Sequence, residues 1–461
     1  MSERACNWHP PNSSNNEEYS CPHEPLTGYG KCIFHADIGE KEQDVNLREV
    51  FIVKLKEIIK NLSYDFRGFK FPGKFDWKKN GIREFSPSGT GKANFRWAEF
   101  GDDINFRHAW FIKGAIFDRV IFHGKVDFSH ATFDDKTGFQ SATFKGEAFF
   151  TQLKTSRKDA LDYSGLEGGP FEVGAPWLIF NKTIFSGPTL IRRNDLSNTR
   201  FQSIDLSNVS FIDSKINRTR FIDCKWGGGL ESKKKYRRKA QGIMRFRQPR
   251  IMFDELLLRK YRSKDQNTCN QSGEPVEQVK LERKLTPGDI EILGLQLKQS
   301  LESMRDPITA GDFHFCSMEM KRMCALDDCK NYVENNLHLR IQRFFRASTL
   351  WLYKMVNGYG ERYGRTLLWL VLLVLFSSVY FTISDHFVPN GWSPEFKTFA
   401  PVLSWYDYFL YSLQNILPLK IGQQFIHPIG PGARWVSFLE TFLGTTFFAF
   451  FILALRRRFK R

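Results

Sequence analysis

The residues best suited to chemistry are three cysteines and a histidine near the start of the chain. Cys6, Cys21 and Cys32 precede His35 in a segment rich in Pro, Asn and Gly. Cys32 and His35 are separated by two residues, a spacing typical of paired zinc ligands. Thiolates and imidazoles are the ligands that Zn²⁺ prefers, so residues 1–36 predict a closed tetrahedral Cys3His zinc site.

Two alternatives accompany this prediction. His9 or His23 could replace one of the cysteines, which leaves the fourth ligand open, and all of these cysteines could instead be incidental reduced thiols. A metal is physically sensible because so short and polar a segment cannot bury a core of its own. Four protein ligands leave no position for water, so we expect any zinc here to be structural.

Farther along the chain, large apolar residues recur at a regular spacing. From Phe95 the spacing alternates between five and six residues, and from Ile191 it is strictly five. The two blocks comprise Phe95, Phe100, Phe106, Phe111, Phe117, Phe122, Phe128, Phe133, Phe139, Phe144 and Phe149, and then Ile191, Leu196, Phe201, Leu206, Phe211, Ile216, Phe221 and Trp226.

This spacing fits neither a helix nor a straight strand. Five residues of α-helix rotate the chain by about 500°, so successive phenylalanines would share no face. On a straight strand an odd step places alternate residues on opposite faces. If the chain turns a corner in every unit, all the central residues point to one axis, which predicts a solenoid. The alternative is a chance enrichment of Phe in an antiparallel sheet.

The repeated units resemble the pentapeptide-repeat family. They include ANFRW, AEFGD, AWFIK, ATFDD, ATFKG, NDLSN and TRFQS. The resemblance implies a right-handed quadrilateral β-helix over 93–226, with four pentapeptides in each coil. The number of units predicts four to five coils, about 20 Å long. The register blurs over 151–190, where Gly and Pro are frequent.

The segments on either side of the repeat predict further domains. Residues 37–92 contain a helical pattern over 41–64 and read as an N-terminal helix and solenoid cap, because an open first coil would expose strand edges. Residues 227–360 read as a basic linker and a helical region. Between 233 and 250 there are nine Lys and Arg and no acidic residue. This run suits an anionic lipid surface, with a plain solvated segment or nucleic acid as the alternatives.

Residues 361–461 predict a two-span membrane module. Residues 366–384 are uncharged, and 435–455 are interrupted only by Glu440, so either run is long enough to cross a bilayer. Five positive charges follow the second run, and positive residues mark the cytoplasmic side. We therefore expect a multi-pass protein of a bacterial plasma (inner) membrane, with both termini in the cytoplasm.

Between the two runs, residues 404–419 predict a short re-entrant or interfacial helix. The order of span, short helix and span is similar to the pore module of potassium-type channels. The selectivity filter of that family would fall near residue 417, where this chain reads LPLKIGQQF and Lys420 would oppose a cation. The Gly-Tyr-Gly at 358–360 precedes the first span and cannot serve as the filter.

Glu440 lies inside the second predicted span, where an ionisable group usually faces a protein interior or a water-filled path. Gly444 lies one helical turn farther on, with Thr441 and Thr445 beside it. We expect the spans to form a homo-oligomer along this face, with Glu440 at the mouth of any pore. The alternative is that Glu440 simply reaches the headgroups.

The chain carries no enzyme signature, such as a P-loop, a dinucleotide fingerprint or a nucleophile elbow. Its net charge of +17 disfavours imitation of acidic DNA and suits an anionic partner. We expect a membrane-anchored scaffold or sensor whose β-helix binds a cytoplasmic protein and is coupled to an ion-channel-like module. The alternatives are a nucleic-acid-related protein that uses residues 233–250, and an anchor that conducts no ions.

Overall fold

The computed structural model describes residues 6–11, 21–27, 30–85, 91–155, 177–227, 250–265, 285–331, 337–384, 387–389, 403–416 and 426–460. The chain forms two compact units. The first contains residues 1–239 and 248–317, and the second contains residues 240–247 and 318–461.

The first unit begins with two helices, α1 (Ile38–Gln43) and α2 (Val45–Lys60). Short strands then follow one another along the chain. They are β1 (Lys70–Phe71), β2 (Phe75–Asp76), β3 (Glu84–Phe85), β4 (Ala93–Asn94), β5 (Glu99–Phe100), β6 (Ile104–Asn105), β7 (Trp110–Phe111), β8 (Ala115–Ile116), β9 (Ile121–Phe122), β10 (Val126–Asp127), β11 (Thr132–Phe133), β12 (Thr137–Gln140), β13 (Thr143–Phe144), β14 (Ala148–Thr151), β15 (Leu178–Asn181), β16 (Ile184–Phe185), β17 (Thr189–Arg192), β18 (Arg200–Gln202), β19 (Val209–Ser210) and β20 (Arg220–Ile222).

These strands form four parallel ladders, one for each side of a coil. Their orders are β1-β5-β9-β13-β16, β2-β6-β10-β14-β17-β19, β3-β7-β11 and β4-β8-β12-β15-β18-β20. Neighbours in a ladder come from successive turns of the chain, and the register places like residues together, as in Phe100 opposite Phe122. The predicted solenoid with parallel strands on four sides is therefore confirmed.

The interior of the coil is filled by stacked aromatic rings. The rings of one column lie 4.7 to 5.4 Å apart between centroids and are nearly parallel. Backbones of neighbouring strands are about 4.8 Å apart, so a ring at the same position in each turn stacks on the ring below. This column consists of Phe66, Phe95, Phe117, Phe139, Phe180, Phe201 and Phe221.

The coil begins earlier than the phenylalanine spacing indicates. Phe66 stacks on Phe95 and Phe71 stacks on Phe100, so residues 64–75 form part of the first coil. From Phe66 to Phe221 the chain makes about six turns, a length of about 30 Å instead of the expected 20 Å. The earlier start is hidden in the sequence because Phe95 comes ten positions after Phe85, whereas the regular interval is five or six.

The inward position after Phe144 is Phe150, so the prediction of Phe149 is wrong. Phe150 is fully buried and stacks on Phe128, whereas Phe149 is partly exposed and lies under the Lys125 ammonium. The interval from Phe144 is thus six residues, which continues the alternation of five and six. Every inward residue predicted from Ile191 to Trp226 is buried.

Alternate corners of the coil adopt the left-handed backbone conformation. The residue two positions after an inward side chain has a positive φ, as at Trp97 (59°), His108 (60°) and Arg119 (57°). Such corners recur every eleven residues in the first block and every ten in the second. L-residues other than Gly rarely adopt this conformation, so the packing of the coil must outweigh its cost.

Side chains from two helices cover the last coil. α3 (Phe253–Asp265) and α4 (Pro287–Ser303) supply acceptors to backbone N–H groups that have no further strand to pair with. The N–H groups of Phe211 and Ile216 donate to Asp254 Oδ2 and Gln296 Oε1, each at 3.0 Å. The open strand edge is therefore satisfied within the first unit.

The second unit is helical. The boundary between the units falls inside α5 (Pro307–Asn331), between residues 317 and 318. The later elements are α6 (Leu337–Asn357), a 3₁₀ turn (Gly358–Gly360), α7 (Tyr363–Ser384), β21 (Phe387–Pro389), α8 (Trp405–Ile416), β22 (Ile426–Pro428) and α9 (Pro431–Lys460). By length and composition alone, α7 and α9 are able to cross a membrane.

The stacked interior leads to a test with two adjacent residues. The ring of Phe139 is buried at 4.9 Å from the rings of Phe117 and Phe180, while its neighbour Gln140 is exposed. Phe139→Ala should lower the free energy of unfolding of the solenoid by about 3–5 kcal/mol. Gln140→Ala should change it by about 0.5 kcal/mol or less. Both changes are measured by chemical denaturation with hydrogen exchange of the β12 amides as the readout. Equal losses of unfolding free energy in the two variants would contradict the register.

Candidate metal centre and polar clusters of the helical unit

The structure brings together the four residues predicted to bind zinc. Cys6, Cys21, Cys32 and His35 are all buried, and one ligand atom from each lies within 4.8 Å of the others. The Sγ atoms of Cys21 and Cys32 are 3.7 Å apart, and Nδ1 of His35 lies 3.1 Å from Sγ of Cys32 and 3.5 Å from Sγ of Cys6. No other such group of His, Cys, Asp or Glu occurs among the residues that the structure describes.

These distances fit a tetrahedral metal ion. A tetrahedron with Zn–S bonds of about 2.3 Å has edges of about 3.8 Å between its ligand atoms. The distance of 3.7 Å between the Sγ atoms of Cys21 and Cys32 matches that value, the distances from Nδ1 of His35 to Sγ of Cys32 and Cys6 are shorter at 3.1 and 3.5 Å, and no pair of the four ligand atoms is farther apart than 4.8 Å. The cluster can therefore bind a metal such as zinc with small side-chain adjustments, and all four positions would be filled by protein.

The ring of His35 is held with its free nitrogen towards the thiols. Its Nε2 lies 2.9 Å from the carbonyl oxygen of Arg67, and because a carbonyl only accepts, Nε2 carries the proton. In the neutral ring Nδ1 then keeps its lone pair. Metal-binding histidines usually donate their second N–H to such an acceptor, which fixes the tautomer.

The indole of Trp8 covers the other side of this ring. Trp8 stacks on His35 at 4.4 Å between centroids with an interplanar angle of 3°. Gly68 makes room for the indole, because a Cβ atom there would lie 2.0 Å from Trp8. Gly68 also has a φ of +68°, which favours glycine. The sequence pattern gave no signal for either residue, since neither is a ligand.

The protein groups by themselves favour one ionised thiol. The hydrogen bond from Cys21 lowers the pKa of Cys32 against the opposing effect of burial. The pKa of Cys21 is raised by its hydrogen bond to Cys32 and by burial, and burial raises that of Cys6. A divalent cation would stabilise all three as thiolates, because metal binding to cysteine displaces protons.

The cluster is attached to the first coil of the solenoid. The N–H of Lys70, in β1, donates to the carbonyl of Phe34 at 2.8 Å. The buried ammonium of Lys41 donates to the carbonyl oxygens of Phe34 at 3.1 Å and Lys70 at 2.6 Å. Phe51 of α2 packs against both Phe34 and Phe71. The metal cluster and the two helices thus cover the first coil.

The two alternative ligands lie outside the cluster. The ring of His23 packs against Phe34 and Phe69, with centroids 4.7 and 6.1 Å away, and burial lowers its pKa. His9 is exposed. Among the candidates weighed from the sequence, the geometry therefore selects His35 as the nitrogen ligand.

Comparison with protein families agrees with the fold of the first unit. Residues 90–132 match the family model described as pentapeptide repeats (9 copies). This part of the chain is a pentapeptide-repeat solenoid. The match lies in the most regular part of the coil, where the intervals alternate between five and six. No curated protein and no solved structure matched the chain.

Beyond the pentapeptide-repeat solenoid, the second unit contains a buried cluster around Glu440. The Glu440 side chain is 1% exposed and accepts hydrogen bonds from Ser412 and from Asn415 Nδ2, the latter at 3.2 Å. The Ser412 Oγ atom also lies 3.2 Å from the carbonyl oxygen of Val374 in α7. Glu440 therefore links α9 to α8. The alternative that it reaches the headgroups required a side chain that extends outward from the unit, and this one does not.

Gly444 packs inside the same unit. A Cβ atom at this position would lie 2.5 Å from the Ile416 side chain at the end of α8. Of the face on which we expected a second copy of the chain, Glu440 and Gly444 are therefore covered by α8 of the same chain, while Thr441 and Thr445 are exposed. The small residue allows α8 and α9 to approach closely, which is how small residues act between apolar helices. Lys420 lies outside the described residues, as does the basic run 233–250 except for Arg250.

A second polar cluster joins α5, α6 and the turn before α7. Oε1 of Glu319 accepts from Lys354 Nζ and from Arg322 Nη2, each at 2.8 Å, and Oε2 accepts from the Tyr359 hydroxyl at 3.0 Å. Tyr359 has a φ of 62° between two glycines that also have positive φ. The Gly-Tyr-Gly sequence thus forms a left-handed turn that the tyrosine hydroxyl attaches to Glu319.

Burial raises the pKa of Glu319, but hydrogen bonds from Arg322 and Lys354 outweigh it and lower the pKa from 4.5 to about 2. A lowered pKa contributes stability above the ordinary value, and that contribution is lost as the pH falls towards 2. Glu319 binds residues that are far apart in the chain. Its partners Lys354 and Tyr359 gave no signal, because they lie 35 and 40 residues away.

Metal analysis tests the Cys3His cluster. The purified full-length chain should contain about one zinc ion, and Cys32→Ser should lose it because three ligands bind far more weakly than four. Cys224→Ser is the matched control, since Cys224 lies on the solenoid outside the cluster and donates to the Phe201 carbonyl. Zinc retained by the Cys32 variant, or lost equally from both variants, would contradict the site.

Substitution of Glu319 tests the second cluster. Glu319→Gln leaves the buried Lys354 ammonium without its carboxylate and should lower the stability of the helical unit by on the order of 3 kcal/mol at pH 7. Tyr359→Phe, which removes one hydrogen bond, should cost about 1 kcal/mol. Hydrogen exchange of α6 amides in detergent measures both. The difference between wild type and Glu319→Gln should shrink below pH 4, and a difference that is constant with pH would contradict the ion pair.

Proposed function

We propose that this protein is a membrane-anchored scaffold whose pentapeptide-repeat solenoid binds a cytoplasmic protein on its sides. The proposal rests mainly on the presence, in one chain, of a solenoid with both ends covered and of two helices able to cross a bilayer. Covered ends prevent the coil from adding strands of another molecule, so the side faces are the surfaces left for binding.

The burial of α7 and α9 supports the anchor. Only 33% and 17% of the residues in their most apolar stretches are buried within the protein. Large apolar side chains such as Phe376 (72% exposed) and Phe442 (62% exposed) point away from the unit. Soluble proteins rarely expose apolar surface of this extent, whereas lipid covers it in a membrane.

A structural metal supports the scaffold role. The Cys3His cluster leaves no open position at the metal for a substrate, and it contacts the first coil through Phe34 and Arg67. A zinc ion here would hold the N-terminal segment on the coil and so protect its open edge. A metal site of this closed kind stabilises a fold.

Ion conduction is the second candidate, because the short helix α8 packs between two apolar helices and carries polar side chains towards Glu440. In the described residues these groups bond to one another, with Ser412, Asn415 and Glu440 all paired. Paired polar groups suit helix packing better than they suit an ion path. We therefore place anchoring before conduction.

Reporter fusions test the anchor. A reporter that is active only outside the cytoplasm should be silent after Arg461 and active when inserted near Asn390, because positive residues keep the C-terminus inside. The chain should also stay in the membrane fraction after a high-salt or alkaline wash. A reporter active only in the cytoplasm, placed at the same two positions, is the control and should give the opposite pattern. Release of the chain by the wash would contradict the anchor.

A further inference from the structure

We propose that α6 lies in the cytoplasmic headgroup layer of the bilayer, with its apolar face towards the lipid. This inference rests on the proposed membrane anchor and adds a second membrane-binding surface to it. The surface consists of the outward apolar side chains of α6, which recur every three or four residues on one face. They are Ile341, Phe344, Phe345, Trp351, Leu352 and Met355, with 41% to 64% of each exposed.

The position of α6 within the helical unit points to the lipid. The indole Nε1 of Trp369, in the second turn of α7, donates to the carbonyl of Met355 at 3.3 Å. Asn357 Nδ2 donates at 3.4 Å to the carbonyl of Phe450, which lies six residues before the end of the second candidate span at Arg456. The C-terminal half of α6 therefore lies beside the ends of both candidate spans, at the depth where a bilayer would begin.

The apolar surface of α6 continues onto α7. Leu367 and Trp369, on the first two turns of α7, are 46% and 38% exposed, and the Trp369 indole contacts Met355 through its hydrogen bond to the Met355 carbonyl. Lipid that covers α7 would therefore also meet α6. If a second copy of the chain covered the apolar face of α6 while lipid covered α7, the two would have to meet within one continuous apolar surface. Lipid over both helices avoids this.

The charges of α6 suit an anionic layer. Arg343 and Arg346 lie on the side of the helix away from the apolar face, and Arg365, at the start of α7, donates to the carbonyl of Lys354 at 2.9 Å. An apolar face with aromatic side chains and a basic polar face is the pattern of helices that lie in the plane of the interface.

The Glu319 cluster fixes α6 in this position. Glu319 of α5 accepts from Lys354, which is buried on the protein side of α6, and from Tyr359 in the turn that leads to α7. The left-handed turn at 358–360 changes the chain direction between the two helices. The buried ion pair thus joins α6 to α5, hydrogen bonds join it to α7 and α9, and its apolar face stays exposed.

Photocrosslinking to lipid tests the inference in the full-length chain, reconstituted into vesicles of phosphatidylethanolamine and phosphatidylglycerol. Phe344→p-benzoylphenylalanine and Trp351→p-benzoylphenylalanine place the probe on the apolar face and keep an aromatic ring. The same probe at Gln342 and Arg346, two exposed polar positions of α6, is the matched control. The probe at Phe376, on the exposed side of α7, reports separately on the anchor.

We expect lipid adducts at Phe344 and Trp351 in yields within about twofold of Phe376 and about tenfold above Gln342 and Arg346. Adducts at Phe376 without adducts at Phe344 and Trp351 would overturn the inference and leave the anchor standing. Protein dimers crosslinked at Phe344 would also overturn it, because a second copy would then cover α6. If Phe376 gives no lipid adduct, the anchor fails, and α6 has no bilayer to meet.

Discussion

The solenoid depends on one numerical coincidence between two kinds of contact. Hydrogen-bonded strands are spaced about 4.8 Å apart, and offset aromatic rings stack at nearly the same distance. A phenylalanine at the same position in each turn therefore stacks on its neighbours without any distortion of the backbone. In the column through Phe117 and Phe139 the centroids are 4.9 Å apart. The 45 phenylalanines of the chain are in large part a consequence of this match.

In a coil of this kind the backbone groups of the inner turns pair with neighbouring turns, but those of the first and last turns have no further strand to pair with. The rest of the first unit covers these two ends. At one end the backbone of Phe34 pairs with Lys70, and Lys41 binds both carbonyl oxygens. At the other end Asp254 and Gln296 accept from the last free N–H groups. The two caps meet the same physical requirement differently: the Cys3His cluster with α1 and α2 covers the first coil, and acceptor side chains of α3 and α4 cover the last one.

Periodic features could be predicted from the sequence, and features that depend on a single contact could not. The spacing of Phe95 and its successors gave the coil because each interval repeats the same geometry. Phe149 and Phe150 are adjacent, so composition could not decide between them. The clustering of Cys6, Cys21, Cys32 and His35 could be predicted because Cys and His are rare in the chain. The contacts of Trp8 with Gly68 and of Gly444 with Ile416 join residues whose types carry no such signal.

The equivalence of the coils has a consequence for how such a chain can change in evolution. Every turn offers its neighbours the same ladders and the same ring positions, so a duplicated stretch of 20 to 22 residues inserts as one more coil and leaves both caps in contact with the surfaces they already fit. A deletion of the same size removes one coil. The chain can thus lengthen or shorten its binding surface in steps of about 5 Å by gene duplication, while changes of other sizes must fall at corners.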